Sequence, residues 1–422
     1  IEAVSGEFDL FTFTSRYDFA DTSNLAFHWR VEEDGAVVAH GVADAPTIPA
    51  RGVARVRLAL PASANDVAAE RFVIVETRTR MEQNLVPANH FVSASQFALA
   101  TPPASAAGPV AAAPVRWRET GRQLVADTAG GVVTFDRRSG FLSGLDFGGG
   151  NLLRDPLRPY FWRAMTDNDL GAGLPERLGL WRDLHQRARL ASWAVSRGDS
   201  GALIVRTSHA YGDAATVDAD YRVHGDGSIA IDMRFSPQRQ NLPFMPRFGV
   251  RFFGDGSLDV VEWFGRGPQA SYADRWAAAL VGRYRGSVAD QYYEFVRPQE
   301  SGNKIDVRWM ALRQGAAGGG LLIVGDPTFS GGVLAHTTED LDQTGAEQRH
   351  SVDVPVRDFV DVHIDYRQMG LGGDDSWRST AHIEHMLPPR AYRFSFTLAA
   401  LPGAADPRDT SRHVRASRHS GN

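Results

Sequence analysis

Cysteine is absent from all 422 residues, which excludes a disulfide framework, cysteine zinc sites and a thiolate nucleophile. That absence leaves the compartment open, because a chain of this length buries enough surface to fold without covalent staples. Lysine is reduced to Lys304 alone while arginine is abundant. Codon bias of a GC-rich genome accounts for this; the alternative is a use for planar guanidinium contacts to sugars or carboxylates. The net charge is only -5 and basic residues are scattered singly, so the pattern argues against a nucleic-acid partner. Long apolar runs are missing too, and the opening Ile1-Glu2-Ala3 is not a basic segment followed by an apolar one. Neither membrane insertion nor export is signalled by these residues; a leader would belong to sequence upstream of Ile1, and a bacterial cytoplasm or periplasm both fit. The 13 histidines form no convincing zinc spacing, and no Gly-x-Ser-x-Gly elbow occurs.

What the sequence has is strands. Phe11, Phe13 and Ser15 alternate, as do Phe27, Trp29 and Val31; Asp34-Gly35 marks a tight hairpin before Val37-Val38. With Val53–Leu58, Arg71–Glu76 and Asn89–Leu99, residues 1–100 read as a β-sandwich. Residues 101–116 are rich in proline and alanine, and prolines at 102, 103, 109 and 114 leave only an extended linker. Strand patterns resume over 117–401 and fit one large sandwich, interrupted by a helix expected over Pro175–Trp193. Residues 402–422 are polar and read as a loose tail.

Four segments concentrate chemistry. Arg158–Asp169 packs Tyr160, Phe161 and Trp162 against Arg163, Asp167, Asn168 and Asp169, either as a ligand wall or as a salt-bridged loop pinning two sheets. Gly265-Arg266-Gly267-Pro268 followed by Tyr272-Ala273-Asp274-Arg275 marks a sharp exit from an aromatic strand, and no phosphate-cradling helix or lysine follows it. In Arg297–Lys304, Gln299, Glu300 and Asn303 are able to bond sugar hydroxyls, but glycoside hydrolysis needs two facing carboxylates and Glu300 is single. Gln368–Trp377 runs through glycines to Asp374-Asp375-Ser376-Trp377, where Trp377 is equally a sugar platform or a core residue. The oxygen ladder that calcium requires is missing there.

In this order the four segments resemble the C-terminal half of the multidomain beta-galactosidases of glycoside hydrolase family 2. Ser15–Phe19 and Trp29-Arg30-Val31 resemble the domain that follows the family's catalytic barrel. Arg163-Ala164 with Thr166–Asp169, Gly265–Pro268, Arg297–Gly302 and Gly372–Trp377 resemble its last domain. The resemblance implies an all-β chain, an immunoglobulin-like sandwich followed by a large galactose-mutarotase-like supersandwich. It implies that both catalytic glutamates sit on a (β/α)8 barrel preceding Ile1, so this chain holds no catalytic residue, metal or cofactor. Trp377 and Asp375 become the substrate-binding residues, with Arg163, Asp167, Asn168, Asp169 and Glu300 as framework near the junction. The implied partners are the barrel and N-terminal domains, a beta-galactoside and a possible second copy, with no nucleic acid or membrane. One departure stands out: where the family places a glutamate after Gly-Pro, this sequence has Gln269-Ala270. Two rival readings remain: an autonomous carbohydrate-binding or assembly module using Trp377, Trp162 and Trp263, and a sugar epimerase drawing on His350, His363 or Glu347.

Overall fold

The computed structural model describes residues 1–61, 69–83, 85–100, 113–344, 349–375 and 379–419. They form two compact units, Ile1–Ser105 with Val281–Arg283, and Ala106–Leu280 with Tyr284–Asn422. Most of the expected linker, residues 101–112, lies outside the described residues, and Arg116 already begins a strand.

The first unit contains β1 (Glu2–Ala3), β2 (Leu10–Thr14), β3 (Leu25–Glu33), β4 (Ala36–Val42), β5 (Val53–Arg57), β6 (Arg71–Thr79) and β7 (Phe91–Ala100). They make two antiparallel sheets, ordered β1-β2-β5 and β4-β3-β6-β7. Successive side chains of a strand point to opposite faces, so Phe11 and Phe13, Phe27, Trp29 and Val31, and Val73 and Val75 all enter one apolar core. Each such side chain contributes about 1.5–3 kcal/mol by leaving water. Phe13 meets Phe27 edge-on at 4.8 Å between centroids. The hairpin between β3 and β4 turns through Asp34 and Gly35 at φ 47° and 80°, as the Asp-Gly pair predicts.

The second unit opens with β8 (Arg116–Glu119), β9 (Gln123–Thr128), β10 (Gly131–Asp136) and β11 (Leu142–Asp146), a four-stranded sheet ordered β11-β10-β9-β8. The large sheet is made of β12 (Arg158–Tyr160), β13 (Ala188–Arg197), β14 (Leu203–Tyr211), β15 (Ala215–Val223), β16 (Ile229–Pro237), β17 (Arg247–Asp255), β18 (Val260–Gly267), β19 (Leu280–Ser287), β20 (Lys304–Arg313), β21 (Gly320–Leu334), β22 (Phe359–Gln368) and β23 (Tyr392–Leu401). Its main path runs β12-β17-β22-β21-β23-β16-β15-β14-β13, with β18, β19 and β20 branching from β21. The small sheet closes over the large one through a shared core in which Phe135 meets Tyr221 edge-on at 5.1 Å.

Two strands of the large sheet are buried on both faces, and their sequences show why. In β17 Phe248, Val250 and Phe252 join the core, as do Val360, Val362 and Ile364 of β22. The alternate positions are Arg247, Gly249 and Arg251 in β17 and Asp361, His363 and Asp365 in β22, all inaccessible or nearly so. Pairing sets Gly249 opposite Asp365 and Arg251 opposite His363. Gly249 is required there, because a Cβ would lie 2.2 Å from Asp365 Oδ1. Lys304 is also buried: its Nζ donates to the Gly302 carbonyl at 3.0 Å and lies 5.0 Å from the Trp263 ring centroid. Burial pulls its ammonium down to about 8.

Two expectations fail. No continuous helix spans Pro175–Trp193; the chain makes short turns at Leu174–Arg177, Gly179–Trp181 and Leu184–Arg187, and β13 starts at Ala188. The buried Leu178, Trp181 and Leu184 recur every three residues, a spacing suited to 3-10 turns, and the next residues are claimed by pairing with β14. The tail is not loose, since Pro407–His419 is helical. Ser411 and Val414, three residues apart, are buried on one face of that helix, Ala416 is buried as well, and Arg415 Nη2 donates to the Arg308 carbonyl at 3.0 Å, so a mainly polar segment docks with few apolar groups.

Candidate functional site

The four chemistry-bearing segments meet in the second unit. Arg163 is fully buried and forks onto Asp169, with Nη1 donating to Oδ2 at 2.7 Å and Nη2 to Oδ1 at 3.1 Å. Asp169 also accepts from the Thr166 backbone N–H at 2.8 Å, completing a capping box on the short helix α1 (Asp167–Gly171). The capping thus holds the carboxylate where the guanidinium needs it. The same Nη2 of Arg163 also donates to the Gly370 carbonyl at 3.3 Å, and Asn168 Nδ2 donates to the Leu371 carbonyl at 3.4 Å. Asp167 is exposed and accepts from Gln299 Nε2 at 3.1 Å, while its own N–H donates to Gln299 Oε1 at 3.3 Å.

Asp274 anchors the glycine loop. Its two carboxylate oxygens accept from the N–H groups of Leu371 at 3.0 Å and Gly372 at 2.8 Å. Adjacent backbone donors converging on one carboxylate form an anion nest, and Gly372 supplies the φ of +70° that the bend requires. Beyond it Asp374 is exposed and pairs with His382, whose pKa is raised chiefly by that hydrogen bond.

Beneath these loops lies a buried polar layer over the inner face of β17 and β22. Arg251 forks onto Asp361 at 2.8 and 2.7 Å and onto Glu339 at 2.7 and 2.7 Å. Burial opposes ionisation of Asp361, but Arg251 and then His363 outweigh it and hold the carboxyl well below its usual range. His363 Nδ1 lies 2.7 Å from Arg247 Nη1 and therefore accepts, leaving Nε2 to carry the proton towards Asp361 and Thr338. Burial first, and the neighbouring guanidinium second, push the imidazole down to about 4.

Arg247 is shared more loosely, at 3.1 Å from Asp365 Oδ2 and 3.5 Å from Glu300 Oε1. Burial exceeds the pull of that arginine, so Asp365 is raised to about 7 and Glu300 is also raised. Tyr272 and Gln368 each donate to Glu300 Oε1 at 3.4 Å, and Gln368 also donates to Asn303 Oδ1 at 2.9 Å. The cavity beside Glu300, Arg247 and His363 has only about 20 Å³, room for one water and none for a pyranose. Among the described residues no group of His, Asp and Glu has a geometry able to hold a metal ion.

The structure therefore brings together Arg163, Asp167, Asn168 and Asp169, roots the 370–373 loop on them and on Asp274, and sets Glu300 deeper. Asp375 is exposed beyond that loop, and Trp377 lies outside the described residues. Trp162 and Trp263 are each 2% exposed, so neither offers a face to a sugar, and their part in the binding-module reading is withdrawn. Trp162 spends its N–H on Asp342 at 2.8 Å and Trp263 on the Arg266 carbonyl at 3.0 Å. For the epimerase reading, His350 is exposed, His363 is sealed beside Arg247, and Glu347 lies outside the described residues. Sequence reasoning passed over Arg247 and Asp365, and gave Asp274 and Gln368, which stand in the second and fourth segments, no role of their own. The signal available was the period-two run Asp361, His363, Asp365, which places polar groups on the second face of a strand whose first face is apolar.

Residues 128–398 match the family described as Beta galactosidase small chain, and residues 11–100 match Beta-galactosidase, domain 4. A Beta-galactosidase of Priestia megaterium is 32% identical over 397 residues, covering 93% of this chain and 37% of that protein. Another from Aeromonas hydrophila is 27% identical over 398 residues, covering 91% and 37%. The Halalkalibacterium halodurans protein of the same description is 29% identical over 259 residues, covering 60% and 25%. The chain thus spans little more than a third of the length of these relatives at most. A solved structure of galactose 1-epimerase from Lactobacillus acidophilus covers 68% of this chain at 10% identity and a TM-score of 0.36, too distant a likeness to bear on activity.

Proposed function

Because this chain belongs to the beta galactosidase small chain family, we propose that it is the C-terminal, non-catalytic part of a retaining beta-galactosidase. In this reading the missing (β/α)8 barrel and N-terminal domains are its partners within one enzyme, a beta-galactoside is the substrate, and a second copy of the chain is a further partner. Trp377 and Asp375 line one edge of the galactoside site, and Arg163, Asp167, Asn168, Asp169 and Glu300 hold that edge in place. One observation carries the proposal: Arg163 and Asp274 grip both sides of the loop that leads to Asp375 and Trp377. A buried fork and an anion nest fix the backbone of residues 370–372, and a rigid base is what a sugar-binding edge requires.

The supporting chemistry of the carboxylates is consistent. Glycoside cleavage with retention places two carboxyl groups about 5–5.5 Å apart across the bond. Glu300, set deeper than the loops, instead faces Arg247, Tyr272 and Gln368 in a water-sized space, so its role here is to hold the framework. The test is release of nitrophenol from nitrophenyl β-galactoside. The 422-residue chain alone gives no turnover, and the same chain joined to its upstream sequence gives turnover that falls on Trp377→Ala. Activity of the isolated chain that disappears on Glu300→Gln overturns the proposal.

A further inference from the structure

A second cavity, of about 310 Å³, opens among Arg266, Trp276, Asn303, Phe329, Tyr366 and Gln368, and none of residues 370–375 lines it. Its volume is at the lower end of the range for small-molecule sites and suits one or two sugar rings. Trp276 is 45% exposed and Tyr366 38%. Both rings are packed against a neighbouring side chain. The Arg266 guanidinium lies 4.2 Å from the Trp276 ring centroid, and Tyr366 packs on Tyr392 at 5.0 Å.

The polar groups define what these rings await. Arg266 is neutralised by Asp306 at 2.6 Å and also donates to the Ala279 carbonyl at 2.9 Å; Arg367 donates to the Glu384 carbonyl at 3.1 Å. Gln368 is 3% exposed, and both Nε2 contacts, to Glu300 and Asn303, fix the orientation of its amide. Its Oε1 is then left as a buried acceptor with no donor among the described residues. A recess with exposed aromatic faces, a guanidinium already neutralised by a carboxylate and an unmet acceptor suits a molecule that has C–H faces and hydroxyl donors.

We infer that this cavity is a saccharide-binding subsite, with Trp276 and Tyr366 as platforms and Gln368 Oε1 accepting from a hydroxyl. It is separate from the galactoside edge proposed above, since its platforms are other residues and it needs no barrel. The experiment is titration calorimetry of the 422-residue chain with galactose, lactose and glucose, repeated on Trp276→Ala, Trp276→Phe and Phe91→Ala variants whose fold is checked by circular dichroism; Phe91 is an exposed aromatic of the first unit and lines neither site. Saturable binding of at least one sugar is expected, weakened about tenfold or more in Trp276→Ala, nearly kept in Trp276→Phe and unchanged in Phe91→Ala. Silence with all three sugars, wild-type affinity in Trp276→Ala, or an equal loss in Phe91→Ala each overturns the inference. The galactoside edge is tested by turnover of the joined chain, so the two proposals fail separately.

Discussion

Arg247 and Arg251 sit four residues apart on one strand, facing the same way, both buried, and both between two carboxyl groups. Arg251 meets Asp361 and Glu339 through paired, well-aligned hydrogen bonds of 2.7–2.8 Å. Arg247 meets Asp365 and Glu300 at 3.1 and 3.5 Å, and Asp365 accepts no well-formed hydrogen bond among the described residues. The outcome for the acids is opposite: Asp361 is held ionised, while Asp365 and Glu300 are pushed towards the protonated form. Proximity to a cation does not decide the state of a buried acid; alignment against the cost of dehydration does.

The contrast is broken most directly by removing each cation. Arg251→Met strands Asp361 and is expected to cost about 3–5 kcal/mol in urea unfolding. Arg247→Met is expected to cost about 1–3 kcal/mol, because Asp365 and Glu300 can take up protons instead of remaining charged. Equal losses would show that the looser pairs are as fully ionised as the tight ones. Removing the acids gives a smaller version of the same comparison: Asp361→Asn should lower stability at pH 7 by about 2–3 kcal/mol and Asp365→Asn by less than about 1 kcal/mol.

The pH dependence sharpens it further. Asp365 is raised from 3.8 to about 7, so the stability it contributes is complete below about pH 4 and is lost as pH rises through 7. His363 is lowered from 6.5 to about 4, so its contribution is complete above pH 6.5 and is lost as pH falls through 4. The two slopes oppose each other between about pH 4 and 6.5, and their sum for the native sequence is nearly flat. Asp365→Asn removes the falling part, and its urea midpoint should then rise across that window by the equivalent of about 2 kcal/mol. A variant as flat as the native chain would mean that Asp365 does not carry the proton. The smallest effect belongs to the exposed pair: Asp374→Asn should leave the urea midpoint unchanged within error, because water already solvates both partners.

Strand positions were legible because a strand buried on one face advertises itself at period two; Phe27, Trp29 and Val31 fall in the core as their spacing requires. The four chemical segments were legible from composition and resemblance, but their mutual contacts were not. Asp167 and Gln299 are 132 residues apart, and Asn168 and the Leu371 carbonyl 203 apart, so no local pattern joins them. Arg247 and Asp365 were hidden for a different reason. Alternating polar positions on a strand usually face water, and only the cover supplied by residues 299–304 and 336–341 turns that face into an interior. The helix expected at 175–193 failed where sheet pairing outweighed local spacing, and the docked helix at 407–419 was missed because it is seated largely by polar contacts, with few buried apolar residues to mark it.

The burial of Lys304 has a practical consequence. A protease that cuts only after lysine has a single peptide bond to attack in this entire polypeptide, and that bond follows a side chain folded away beneath an indole. Cleavage into two fragments therefore reports opening of the strand that begins at residue 304, and the rate of fragment appearance is a clock for how often that part of the large sheet comes apart.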